Sequence, residues 1–516
     1  MTINSFSPSS NTARRNGELF VQMRAQFSDL QRQLTTEQKS DTFGGLGVDR
    51  RISLDTRAKL GTLEGWTKSI DQGNMRITFM MQTIERFSKN TLDGKGDARP
   101  GAYVVGANGD VAGQLLARNR LAESLDTLNV DVGGRYLFSG RSTDVKPVEK
   151  FSTIMDGDGA GLDGIKTLMT ERRLADAGVG NLGRLSNTVA GTAVTIANDP
   201  GIALRPSTGR PEYGFTISGA ASTSSSISSS FTAGPPANAG FNVVTNPAAG
   251  DKITLALTLP DNTTTTIELE ARLPNVGGPA DTGFQIGATP ALTAANLSAS
   301  ITAALQKQTD TNLYAASATI ASRDFFAGST GNIPVRVPGP GFATATGLPV
   351  APAVNTTVIW YKGDDAPGIP ARDTARLQID NSQSVATGAR ANEAAFREGL
   401  ATFAVFAAAD LASTSTPNAR DRYEAIADRV RTNLAFPTTQ KPQDIGVEIA
   451  TAQTAMQSAR DRHKVSTNFL ENARAGAENV NKEEVIVALT SLQTRMQASY
   501  QTTSILSSLK LTDYLR

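Results

Sequence analysis

Apolar positions near the two ends of this 516-residue chain fall into stripes of helical period. At the start, Phe20, Met23, Phe27, Leu30 and Leu34 follow one another at spacings of three, four, three and four. Toward the end, Val485, Leu489, Leu492 and Met496 alternate four and three, pass through Ser499 and Thr503, and resume at Leu506 and Leu509. That is the period of a seam between two helices. No proline or glycine interrupts residues 482–516, so this stretch predicts one helix about 50 Å long. A stripe of that length needs a partner, and the matching stripe at the other end is the candidate. The seam has too few side chains to offset the ordering of two long helices. The reading therefore expects the ends to be loose in a monomer and to order against copies of themselves.

The pattern changes twice between the stripes. After a glycine-rich break at Thr42–Arg50, Leu60, Leu63, Thr67, Ile70, Asn74, Ile77, Met81 and Ile84 predict a second helix. A third carries Leu121, Leu125, Leu128 and Val132 before Gly133-Gly134 ends it. From about residue 141, Thr, Ser, Ala, Gly and Pro dominate. There, Ile253, Leu255, Leu257 and Leu259 alternate with polar or small residues, turn at Pro260-Asp261-Asn262, and return through Thr265, Ile267 and Leu269. Residues 252–271 thus predict a β-hairpin, with a helix over 291–308 packed on it. The low-complexity run ASTSSSISSSFT at 221–232 reads as a solvated loop. Helices resume near Thr374, with Ala389–Leu411, Ala419–Leu434 and a long one from Ile445 to about Asn472.

The fold class that follows is mainly α at both ends: a long antiparallel helical bundle or coiled coil formed by the N- and C-terminal segments, with an inserted β-rich α+β middle domain. The segments run 1–44 (polar start and terminal helix), 45–140 (first half of the bundle), 141–373 (outer domain), 374–478 (second half of the bundle) and 479–516 (terminal helix). Because the bundle resumes where it stopped, the insert is expected to be dispensable for the fold of the helices.

Composition narrows the function. A formal net charge of +1 gives no electrostatic reason for a nucleic acid or an anionic membrane as partner. No apolar run is long enough for a membrane span, and the polar start carries no basic-then-apolar signal. With no cysteine, disulfides and thiol nucleophiles are excluded. His463, the one histidine, stands among Arg460, Arg462 and Lys464 and reads as part of a solvated helix face. The run Gly178-Val179-Gly180-Asn181-Leu182-Gly183 matches a dinucleotide-binding glycine pattern but follows no apolar strand. Asp156, Asp158 and Asp163 have a calcium-loop spacing, with Ala160 at a ligand position and Thr167 where a closing Glu belongs. The expectation is a structural protein with no catalytic residues, cofactor or metal.

Several stretches resemble the flagellin family. LQRQLTTEQK at Leu30–Lys39, followed by the glycine-rich break and a long helix, is similar to the family's N-terminal region. LTSLQTRMQASYQTTSILSSLKLTDYL at Leu489–Leu515 is similar to its terminal helix, including Leu492, Gln493, Gln497, Ala498 and Ser499. GGRYLFSG at Gly133–Gly140, IWYKGD at Ile359–Asp364 and the run from Thr374 to Arg397 resemble the hook–filament junction members more than the filament flagellins. About a dozen extra polar residues at the start depart from the family. The resemblance implies a structural subunit of the bacterial flagellum, exported by the type III route without a cleaved signal and located outside the cell. It implies as partners other copies of the chain, flagellin, hook-associated protein 1 and a cytoplasmic export chaperone. It also implies an assembly and chaperone seam of Phe20, Met23, Phe27, Leu30, Leu34, Val485, Leu489, Leu492, Met496, Leu506 and Leu509. The alternative is a flagellin, a filament subunit with a large outer domain.

Overall fold

A computed structural model describes residues 8–106, 109–411 and 418–508 of the chain. Helix α1 (Pro8–Thr36) is followed by a short 3₁₀ turn, Phe43–Asp49, and by the 48-residue α2 (Arg50–Asp97). Helix α3 (Ala112–Leu128) leads into a two-stranded hairpin, β1 (Asp131–Val132) and β2 (Arg135–Tyr136). Val132, expected on the helix, lies in this hairpin instead. Gly133 and Gly134, at φ of 62° and 75°, supply the two left-handed residues that such a tight turn requires.

Two helices follow, α4 (Phe151–Asp156) and α5 (Ile165–Ala177). The insert then forms strands β3 (Leu185–Ala190), β4 (Ala193–Asn198), β5 (Thr216–Ser222), β6 (Ile227–Thr232), β7 (Asn238–Val243), β8 (Lys252–Thr258), β9 (Thr264–Arg272) and β10 (Gly283–Gln285). They make two four-stranded sheets of order β10-β9-β8-β5 and β3-β4-β7-β6. All pairings are antiparallel except β10 with β9. The expected hairpin is β8–β9, paired from Lys252↔Glu270 to Thr258↔Thr264. The inner faces of the sheets share one core with α6 (Pro290–Gln308), which contributes Leu297, Ile301 and Leu305. The run at 221–232, expected as a loop, contains the end of β5, a short turn and all of β6. Serine is weak in strands, but the ladder to β7, whose Ala239, Phe241 and Val243 are buried, holds it extended.

Helices α7 (Tyr314–Ala327), α8 (Ala394–Ala408) and α9 (Ala419–Asn433) come next, with the small hairpin β11 (Arg376–Gln378) and β12 (Ser384–Ala386) between α7 and α8. The chain continues through α10 (Pro442–Glu478) and α11 (Lys482–Ser508). Helix α8 begins five residues later than its alanine-rich sequence suggests. The backbone at 389–391 is taken by a bridge in which Gly140 N–H donates to Ala389 and Ala391 N–H to Phe138.

The chain divides into two units. The terminal unit comprises residues 1–72, 378–384 and 454–516; the central unit comprises 73–377 and 385–453. In the central unit, α8 is buried on nearly every face. Phe396 makes edge contacts with Phe87 and Phe138 at 5.0 and 5.6 Å, and Gly94 leaves room for the Phe403 ring, which a Cβ there would meet at 2.3 Å. Its other side is covered by α7 from the insert: Ser322 Oγ donates to the Ala401 carbonyl at 2.7 Å, and Arg323 forks onto Glu398. The insert therefore shares a core with the helices it interrupts, which corrects the expectation that it is dispensable. A helix apolar on nearly every face needs cover all round, and α7 of the insert supplies part of it.

The terminal unit is built from paired helices. Ile70, Met456 and Ala459 are buried in it, along with Ile379 from the 378–384 segment. His463 is also buried. Its ring stacks on Trp66 at 5.4 Å and its Nε2 lies 2.7 Å from the Ile379 carbonyl. The solvated face expected at His463 is thus wrong: Arg462 turns outward to Gln383 and Asp380, and the imidazole of α10 packs against Trp66 of α2 and the 378–384 segment that carries Ile379.

Candidate assembly site

Helices α1 and α11 pack against each other antiparallel, joining the two apolar stripes. Near one end of the pair the Phe20 and Tyr500 rings stack at 5.2 Å; near the other, Lys482 Nζ lies 2.6 Å from Glu37. Between them, Leu30 and Leu492 line one groove with Gln26, Asp29, Ala488, Ser491 and Arg495. Val485 and Leu492 are buried, at 6% and 7% exposure. Phe20, Met23, Phe27, Leu30, Leu34, Leu489 and Met496 are each half-buried. The side chain of Leu506 and the whole of Leu509 lie outside the described residues. The ends thus order against each other within one chain, where the sequence reading has them ordering only against copies. A clasp at the base of the pair accounts for this.

In that clasp, Gln38 and Asn479 form an antiparallel bridge; Lys39 N–H donates to Glu478 O at 2.8 Å and Val480 N–H to Glu37 O at 3.0 Å. The Glu478 carboxylate accepts from Arg57 Nε and Nη2, both at 2.7 Å, and from Ser53 Oγ at 2.6 Å. Lys39 Nζ reaches Asp49 at 2.8 Å and the Gly476 carbonyl at 2.9 Å. Arg57 hydrogen bonding, with Ser53 in support, holds the Glu478 carboxyl down at about 2. A carboxylate with a depressed pKa stabilises fully above its ordinary value of 4.5 and loses that contribution as pH falls through 2. Glu478→Gln is therefore expected to lower the stability of the terminal unit at pH 7 by about 1–2 kcal/mol, the modest end reflecting the half-exposed Arg57. It should also flatten the loss of stability between pH 4.5 and 2. Urea unfolding followed by circular dichroism across that range checks both.

A two-helix seam covers only one flank of each helix. Leu19, Val21, Ile486, Val487, Tyr500 and Ile505 remain exposed on the pair, each to 49% or more. Of these, Tyr500 belongs to the contact itself; the sequence reading ran the seam through Ser499 and missed Tyr500, whose spacing of four from Met496 is also helical. The Glu478–Arg57–Ser53 clasp left no such signal, since its members are more than 420 residues apart.

The other motifs resolve into ordinary structure. The glycine run at 178–183 joins the end of α5 to β3, so no strand precedes it and no helix follows. The three aspartates face different partners: Asp156 meets Lys166, Asp158 accepts from the N–H groups of Ala160 and Leu162, and Asp163 meets Arg336. Among the described residues no group of three His, Asp or Glu side chains is placed to hold a metal. One charge cluster is buried: Arg172 bridges Asp176 and Glu212 at 2.9 and 2.7 Å and lies over the Tyr213 ring. Beside it, burial pushes the Asp324 carboxyl up to about 6. The adjoining cavity, of about 10 Å³, has room for a water molecule and nothing larger. No model of a known protein family matches the chain, and no curated protein matches it significantly.

Proposed function

We propose that this protein is a structural subunit of the bacterial flagellum, an adaptor at the junction between hook-associated protein 1 and the flagellin filament, of the hook-associated protein 3 type. The observation that carries the reading is the antiparallel pairing of α1 with α11, half-covered and flanked by exposed Leu, Val, Ile and Tyr side chains. A pair of this kind gains by packing against further copies, because each additional helix covers a flank that two helices leave in water. The stretches Gly133–Gly140 and Ile359–Asp364, which resemble junction members, support the adaptor role over that of a filament subunit. The β-rich insert is then a domain mounted on the assembly, and export as an unfolded chain is compatible with the lack of cysteine.

The test is a deletion of the gene in its own cell. The expected result is complete hooks without filaments, with flagellin shed into the medium. Loss of the filament protein itself from an otherwise complete hook–junction structure would favour the flagellin reading. Normal motility would refute both.

A further inference from the structure

Helix α7 packs on α5 and on α8. Ser317, Ala321 and Asp324, spaced four and three residues apart, share the face that it turns to α5. Ser317 Oγ donates to Asp176 at 2.7 Å, and Ala321 and Asp324 line the small cavity together with Leu168, Glu171 and Arg172 of α5. Ser322 and Arg323 face the other way, onto Ala401 and Glu398 of α8. Asp324 is the odd member of this polar set. It is partly buried, yet no described residue gives its carboxyl a hydrogen bond or an ion pair.

Cations stand near it, but each is already committed. Facing it from α5, Arg172 is held by Asp176 and Glu212; Arg205 is held by Glu212 and the Pro260 carbonyl. Arg336, on the same cavity, is held by Asp163 and Glu171, and Arg323, its neighbour on α7, by Glu398. The cluster therefore sets four arginines against six carboxylates: Asp163, Glu171, Asp176, Glu212, Glu398 and Asp324 itself. An ionised Asp324 adds to the sign already in excess. Such a site favours the protonated carboxyl, and burial pushes Asp324 up to about 6 against the pull of Arg172.

We propose that Asp324 is a proton-operated latch: neutral, it holds α7 against α5, and ionised, it loosens that joint. The neutral group has an O–H to donate, and the Glu171 carboxylate lines the same cavity, which has room for one bridging water. The ionised group only accepts, as Glu171 does, and the two repel. Because α7 also carries the bonds to Ala401 and Glu398, the latch sets how firmly the insert grips α8. A carboxyl raised from 3.8 to about 6 contributes stability that is complete below 3.8 and is lost as pH rises through 6. The joint is thus tight in mild acid and looser at neutral pH. That is the reverse of Glu478, whose contribution is lost on acidification.

The test follows amide hydrogen exchange of α7 in the full chain across the acid-to-neutral range, corrected for the intrinsic exchange rate. In the unaltered chain, protection along α7 should fall by about ten- to a hundredfold between mild acid and neutral pH, the lower figure allowing for partial exposure. Asp324→Asn keeps the shape and cannot ionise. It should hold the acid level of protection throughout, and so be better protected than the unaltered chain at neutral pH. Asp324→Ser, neutral and smaller, should show the same loss of pH dependence if the amide does not fit. Asp156→Asn, at an exposed carboxylate of the same insert, should leave the original profile in place. A profile in the unaltered chain that is flat or rises with pH overturns the proposal. So does a variant that differs from the unaltered chain by the same factor at every pH, since Asp324 would then act through packing alone.

Discussion

Leu492→Asp is expected to abolish assembly while leaving most of the molecule folded. Leu492 is one of the two buried positions of the α1–α11 seam, facing the groove that Leu30 lines. A carboxylate there breaks the apolar contact of the seam, and burying a charge costs several kcal/mol, which Arg495 in the same groove offsets only in part. The helix pair would open, or the charge would draw water into the seam. In either case the surface offered to further copies is lost. The central unit, which contains neither helix, should keep its cooperative unfolding transition. The measurements are sedimentation of the purified chain under assembly conditions and filament formation in cells carrying the variant. Normal filaments would mean that the seam is not an assembly surface.

The second large effect is expected from replacing residues 141–373 by a short Gly/Ser linker. The replacement strips α7 from α8 and with it the Ser322–Ala401 hydrogen bond and the Arg323–Glu398 pair. It also uncovers one side of a helix whose residues Ala395–Ala407 are almost all buried. Fully exposing a Leu, Val or Phe forfeits roughly 1.5–3 kcal/mol each, and a domain has only about 5–15 kcal/mol in total. A few such side chains suffice. The shortened chain should keep helical circular dichroism from its terminal helices but lose the sharp unfolding transition of the central unit. A cooperative transition in the shortened chain would show that α3, α8 and α9 close their own core.

The parts of this fold that were legible in the sequence share one property: a repeating apolar position. The stripes Phe20–Leu34 and Val485–Met496 predicted their own pairing, and the strict alternation through Ile253–Leu259 marked the β8–β9 hairpin. What was hidden depended on residues supplied from elsewhere. Strand β6 has no apolar alternation of its own and is extended because β7 holds it. His463 looked solvated between two arginines and a lysine, until the segment carrying Ile379 came to lie on it. The start of α8 gave way to a bridge with residues 138–140, although its alanines favour helix. Propensity is local, whereas each of these outcomes was decided by a partner distant in sequence.

The clasp at the base of the α1–α11 pair also has a consequence in time. Lys39 and Gly476, which it joins, are 437 residues apart. A ribosome adding about 5–20 residues per second needs roughly 20–90 s to make the second partner after the first has emerged. For that interval Phe20, Met23, Phe27, Leu30 and Leu34 form one half of an interface whose other half does not yet exist. Each new copy of the chain therefore passes through a stage in which its first helix is an open apolar stripe. Anything in the cell that binds α1 before α11 arrives competes with the native pairing, and it has most of a minute in which to do so.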